Sequence, residues 1–145
     1  MQQIKRRDKC NKKTSDKKQN KIIIIGDSHA RGCAQELQHK LGHGFEVQGF
    51  VKPGANLQTI VNTSPKTMGK LTKKDVVIVW GGTCDVGRNE TVKGLHQIGN
   101  FVDNLKQTNV IVMSVPYRHD LEVNSCVNME VKVYNRKLKK TLEGI

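Results

Sequence analysis

Two unbroken apolar runs constrain this chain more than anything else in it: Ile22–Ile25, inside KIIIIGDSHARG, and Val76–Trp80, inside DVVIVWGG. A strand with one wet face alternates apolar and polar residues, whereas a strand that is apolar at every position is covered on both faces. Both runs end in glycine and pass into sequence with helical spacing. Two further segments read as strands, FEVQGF from Phe45 and NVIVMSVP from Asn109, the latter stopped by Pro116. Between them the apolar period lengthens to that of a helix. Helices are predicted over Ala30–Leu41, across NLQTIVNT, over Glu90–Gln107 and over Asn124–Leu142. Gly42 and Gly44 stop the first of these, and the Pro-Gly pair in VKPGANL marks a loop.

Strands that alternate with helices need crossovers, so the sheet is parallel and helices cover both faces. Right-handed crossovers leave few topologies. The expected fold is a doubly wound three-layer α/β/α sandwich with strand order 2-1-3-4. A fifth strand is expected after Leu142–Ile145, so the chain reads as incomplete at its C-terminus. Parallel strands also place all their carboxyl ends along one edge, where ligands bind in such sheets. Asp27 and Ser28, Pro53 and Gly54, Gly82–Asp85 and Tyr117–Asp120 all fall at that edge.

With 36% hydrophobic and 4% aromatic residues, the core is mostly aliphatic. The formal net charge of +12 is unevenly spread. Residues 1–20 hold eight Lys/Arg against two Asp/Glu, and the remainder holds 17 against 11, so each part carries +6. Residues 1–20 lack apolar periodicity and read as a basic, disordered tail, with residues 21–145 as the folded domain. Such a tail attracts the phosphate backbone of RNA or DNA, acts as a localisation signal, or keeps the chain soluble. No apolar run approaches the roughly 20 residues needed to span a bilayer, and no apolar segment follows the basic start as in a secretory signal. Cys10, Cys33, Cys84 and Cys126 form no CxxC pair and read as free thiols. These features suggest an intracellular protein, cytoplasmic or nuclear, with no metal and no cofactor.

Ser28 has two readings. At a strand end and helix start its hydroxyl lies beside free backbone N–H groups, the setting acyl transfer needs for its oxyanion. Alternatively Asp27 or Ser28 simply caps the helix, both being favoured cap residues. The order of the blocks GDS, VKPGANL and GGTCD resembles the SGNH or GDSL-type hydrolases across residues 21–140. That resemblance implies an esterase site with Ser28 as nucleophile, the N–H groups of Ser28 and Gly54 as oxyanion donors, and position 84 as the third donor. The run from GDSHARG through PGANL and GGTCDV to VPYRHDL and VNMEVKVYNRKLKK is most similar to the esterase-like domains in first-open-reading-frame proteins of non-LTR retrotransposons.

Two departures weaken the implied activity. The family's asparagine is Cys84 here, and a thiol is a poor hydrogen-bond donor. The family's Asp-x-x-His block, which supplies the base, is expected beyond Ile145. Without a base a serine hydroxyl is a weak nucleophile. His119, beside Asp120 after strand four, is the candidate substitute; its other reading is a surface loop. His29 follows Ser28 directly and is expected to point away from it. Little activity on an ester substrate is therefore expected. The alternative is a non-catalytic module of the same fold that binds nucleic acid. Its candidate contacts are Lys132, Arg136, Lys137, Lys139 and Lys140, which otherwise make an ordinary exposed helix face.

Overall fold

The computed structural model describes residues 19–145. All but the last two residues of the basic tail, including Cys10, lie outside that range. Four strands form one parallel sheet: β1 (Asn20–Gly26), β2 (Phe45–Val51), β3 (Val76–Trp80) and β4 (Asn109–Val112). Their order is β2-β1-β3-β4, as expected for the doubly wound topology. Among the described residues, five α-helices accompany them: α1 (Cys33–Leu41), α2 (Leu57–Asn62), α3 (Thr83–Gly87), α4 (Thr91–Asp103) and α5 (Cys126–Glu143).

The pleat of β1 divides its isoleucines between two cores. Ile23 and Ile25 join Val77 and Val79 beneath α2, α4 and α5, with Leu57, Ile60, Ile98, Val131, Tyr134 and Leu138 contributed by those helices. Ile22 and Ile24 face the other way, against Ala30 and the α1 residues Cys33, Ala34 and Leu37. Helices thus lie on both faces, which is the α/β/α sandwich. On α5 the buried residues Val131, Tyr134 and Leu138 recur at helical spacing, so one stripe faces the sheet and the rest faces out.

Two local departures from the sequence reading sit next to the site. The helix expected from Ala30 is broken: Ser28–Ala30 form a single 3₁₀ turn, and α1 starts only after Gly32, whose φ is +75°. The loop after β3 is not irregular but coils into α3. Two glycines permit these turns. A Cβ at Gly26 would stand 2.6 Å from the Trp80 carbonyl oxygen and 2.8 Å from Ala30 Cβ. Gly82 takes φ +114°, which other residues rarely adopt. No helix among the described residues is long and apolar enough to cross a membrane.

Candidate active site

The capping question at Asp27 and Ser28 has a definite answer. Asp27 follows β1 directly, and its N–H donates to the Trp80 carbonyl at 3.0 Å, which locks it to β3. Its carboxylate is buried, and Oδ1 accepts from the His29 N–H at 3.0 Å. Asp27 is therefore the cap of the 3₁₀ turn. Ser28 is released from that task. It is the first residue of the turn, it is exposed, and among the described residues nothing is hydrogen-bonded to its hydroxyl.

His29 is held elsewhere. Its Nδ1 lies 2.9 Å from Asp27 Oδ1, and its ring stacks on Trp80 with centroids 6.1 Å apart and planes at 23°. The imidazole is thus engaged by its neighbours on the strand ends and makes no hydrogen bond to Ser28.

The two loops flanking Ser28 are anchored to the ends of β1 and β3. Lys52 N–H donates to the Gly26 carbonyl at 2.8 Å, extending the β1–β2 ladder one step past β2. Gly54 follows in a turn at φ +70°, exposed. Asn56 then caps α2 by accepting from Thr59 N–H at 2.9 Å. On the other side, α3 carries Cys84 as a half-buried free thiol.

Asp85, to which the sequence reading gave no role, joins these loops. It is buried, and its Oδ2 accepts from the Leu57 N–H at 3.0 Å across 28 residues of sequence. The start of α3 and the start of α2 are thereby tied together. Burial pushes the Asp85 carboxyl up from its ordinary pKa, and the Leu57 N–H works in the opposite direction. Position 94 on α4 is glycine, and a Cβ there would stand 2.9 Å from Asp85 Oδ1. The Tyr134 hydroxyl lies over Gly82, 2.9 Å from where a Cβ would be, and is buried with no hydrogen-bond partner among the described residues. Burial, then the neighbouring Asp85 charge, raises its pKa further above the usual phenol range. The available signal for Asp85 was an acid in a strand-end loop beside apolar Val86, but its partner could not be read from spacing.

His119 and the α5 cations lie in other surroundings. His119 is exposed on the β4–α5 connection, in the wall of a cleft with Arg118 and Lys132. Asp120 does not orient it: the Asp120 carboxylate takes Arg118, whose Nε stands 3.1 Å from Oδ1. That hydrogen bond holds the Asp120 carboxyl below its ordinary range. On α5, helical geometry puts Lys132, Arg136, Lys139 and Lys140 on one exposed face, whereas Lys137 turns to the opposite side and lines a groove with Lys93 and Glu130. Among the described residues no cluster of His, Cys, Asp or Glu could hold a metal ion.

Compared with known proteins, the chain matches no family model, and no curated protein matches it.

Proposed function

We propose that this chain carries a serine acyl-ester hydrolase site of the SGNH pattern, with Ser28 as the nucleophile. The observation that supports it best is the division of labour at the end of β1. Asp27 takes the capping role, which leaves the Ser28 hydroxyl exposed and uncommitted between two loops that Asp85 ties together. The reaction is attack of Ser28 Oγ on an ester carbonyl, release of the alcohol, and hydrolysis of the acyl-serine by water. The backbone N–H groups of Ser28 and Gly54 are the oxyanion donors in this reading, with Cys84 a poor third. Loss of one such donor slows acyl transfer by about 10²–10³. No described residue is bonded to Ser28 Oγ to accept its proton, so turnover is slow.

The test is labelling by an active-serine phosphonate probe together with hydrolysis of a short activated acyl ester. We expect slow labelling that is absent in Ser28→Ala, with the fold unchanged. Added imidazole, which supplies a proton acceptor, should raise the rate, and Cys84→Asn should raise it further by about tenfold or more. Labelling that persists in Ser28→Ala removes the proposal.

A second reading, a nucleic-acid-binding module on the same fold, is favoured by one observation. Lys132, Arg136, Lys139 and Lys140 share a face on which none of them pairs with a carboxylate among the described residues.

A further inference from the structure

The β4–α5 connection and the first turns of α5 enclose a cleft of about 360 Å³ that neither esterase chemistry nor the lysine face explains. Its walls are unusual for a loop. Tyr117, Leu121, Val123 and Met129 make an apolar lining, with Arg118 and Lys132 at the polar part of the wall. Three of these apolar side chains are well exposed: Tyr117 at 48%, Met129 at 47% and Val123 at 81%. Apolar side chains of this size gathered around one concavity mark a binding surface rather than scattered exposure.

The cleft is also built in advance. Asn128 is buried, and its side chain accepts from the Arg118 N–H at 2.8 Å and donates to the Arg118 and Glu122 carbonyls at 3.0 and 2.9 Å. Two turns further along, Asn135 accepts from the Val115 N–H at 2.8 Å and donates to the Val115 carbonyl at 2.9 Å. The two asparagines clip the connection onto α5 at both ends of the segment that carries Tyr117. A ligand therefore meets walls that are already in place, which lowers the ordering cost of binding.

The charge next to the cleft narrows the ligand. Arg118 is engaged by Asp120, but Lys132 opens onto the face that continues through Arg136, Lys139 and Lys140. Glu143 is the carboxylate on that same face, at its far end. From Lys132 to Lys139 the helix rises about 10 Å. A single anionic headgroup would use one or two of these cations, whereas a polyanion with repeating charges can use the row. The tyrosine ring offers a flat π-surface at one end of the row, and bases are free to stack on side chains when the strand is single. The geometry points to a binding site for single-stranded nucleic acid, with a base in the Tyr117–Met129 cleft and its phosphates along Lys132, Arg136, Lys139 and Lys140. This inference rests on the second reading above and is independent of Ser28.

The test uses the full 145-residue protein and a fluorescein-labelled oligouridine of about 12 nucleotides, followed by anisotropy between 50 and 200 mM salt. Tyr117→Ala should weaken binding by about five- to a hundredfold, the effect of removing one stacked base, while Tyr117→Phe should bind like the wild type. Lys132→Ala with Arg136→Ala should flatten the slope of log K against log salt by about 1.4, at about 0.7 per phosphate on a single strand. Both positions are exposed, and circular dichroism checks that the variants fold. Lys12→Ala with Lys13→Ala reports what the basic tail contributes. If the wild type does not bind, the second reading itself falls. If it binds but only the tail variant weakens it, or Tyr117→Ala binds like the wild type, the cleft is not the site and the reading survives without it. Equal affinity for a duplex, or for vesicles of phosphatidylcholine and phosphatidylserine, overturns the single-strand assignment.

Discussion

The two faces of the sheet are made from the same strands and much the same aliphatic residues, yet they are finished differently. Beneath α2, α4 and α5, none of Ile23, Ile25, Val77 and Val79 is more than 1% exposed. On the other face, α1 packs on β2 and β1. There Ile22 and Ile24 are buried, but Val76, Ile78 and Trp80 on β3 are only half-buried, and Ile111 on β4 is 49% exposed. A run such as VVIVW therefore announces a central strand without saying how completely each face is sealed. Closure is a property of the helices, and they are counted in another part of the chain.

Substitutions at three positions sharpen this contrast. The largest effect belongs to Ile25→Ala. It opens a cavity in the sealed face and should cost about 2–5 kcal/mol, read from the midpoint of urea unfolding. A cost below about 1 kcal/mol would mean that this face is as loosely covered as the other.

The next effect comes from the buried acid at the rim of the sealed side. Asp85→Ala leaves the Leu57 N–H without its partner and should cost about 1–3 kcal/mol. Asp85→Asn keeps an acceptor for that N–H and carries no charge. Because burial raises the Asp85 carboxyl above its ordinary 3.8, the folded protein holds this proton more tightly than the unfolded chain. The stabilisation that follows is complete below about pH 3.8 and is lost as pH rises through the raised value. Stability of Asp85→Asn should thus match the wild type in acid and exceed it near neutrality. A gain that is the same at every pH would show that charge burial is not its source.

The smallest effect is expected on the open face, where Ile111→Ser should change stability by no more than about 0.5 kcal/mol. A loss of several kcal/mol there would show that something covers β4 in solution.

The two central strands were legible in the sequence because their apolar runs are aliphatic and end at glycine, whereas β2 was read from its alternation and β4 stops at Val112, short of the Pro116 expected to end it. Parallelism then followed from the alternation with helices, and the carboxyl-edge position of Ser28, Gly54 and Cys84 followed from parallelism. What escaped the sequence was set by groups that meet only after folding. The 3₁₀ turn at Ser28–Ala30 depends on Asp27 being locked to Trp80, and the break before α1 depends on Gly32 at positive φ. Asp85 finds Leu57 across the interior, a pairing that no local spacing encodes. Likewise the pattern on α5 gave a cluster of five cations, and only the turn of the helix separates Lys137 from the other four.

The outer strand has a consequence for how the protein behaves in a tube. Among the described residues β4 pairs on one side only, with β3. Its sequence, Asn109–Val112, has neither the lysine nor the proline that usually guards an open edge against a second strand. The net charge of +12 opposes the approach of a second copy. That repulsion reaches about 10 Å at 0.1 M salt and about 3 Å at 1 M. Colloidal stability is therefore bought with charge rather than with edge protection, and it is a property of the buffer as much as of the fold. Light scattering at rising ionic strength should show particles growing where many proteins stay dispersed, and dilution into low salt should reverse the growth.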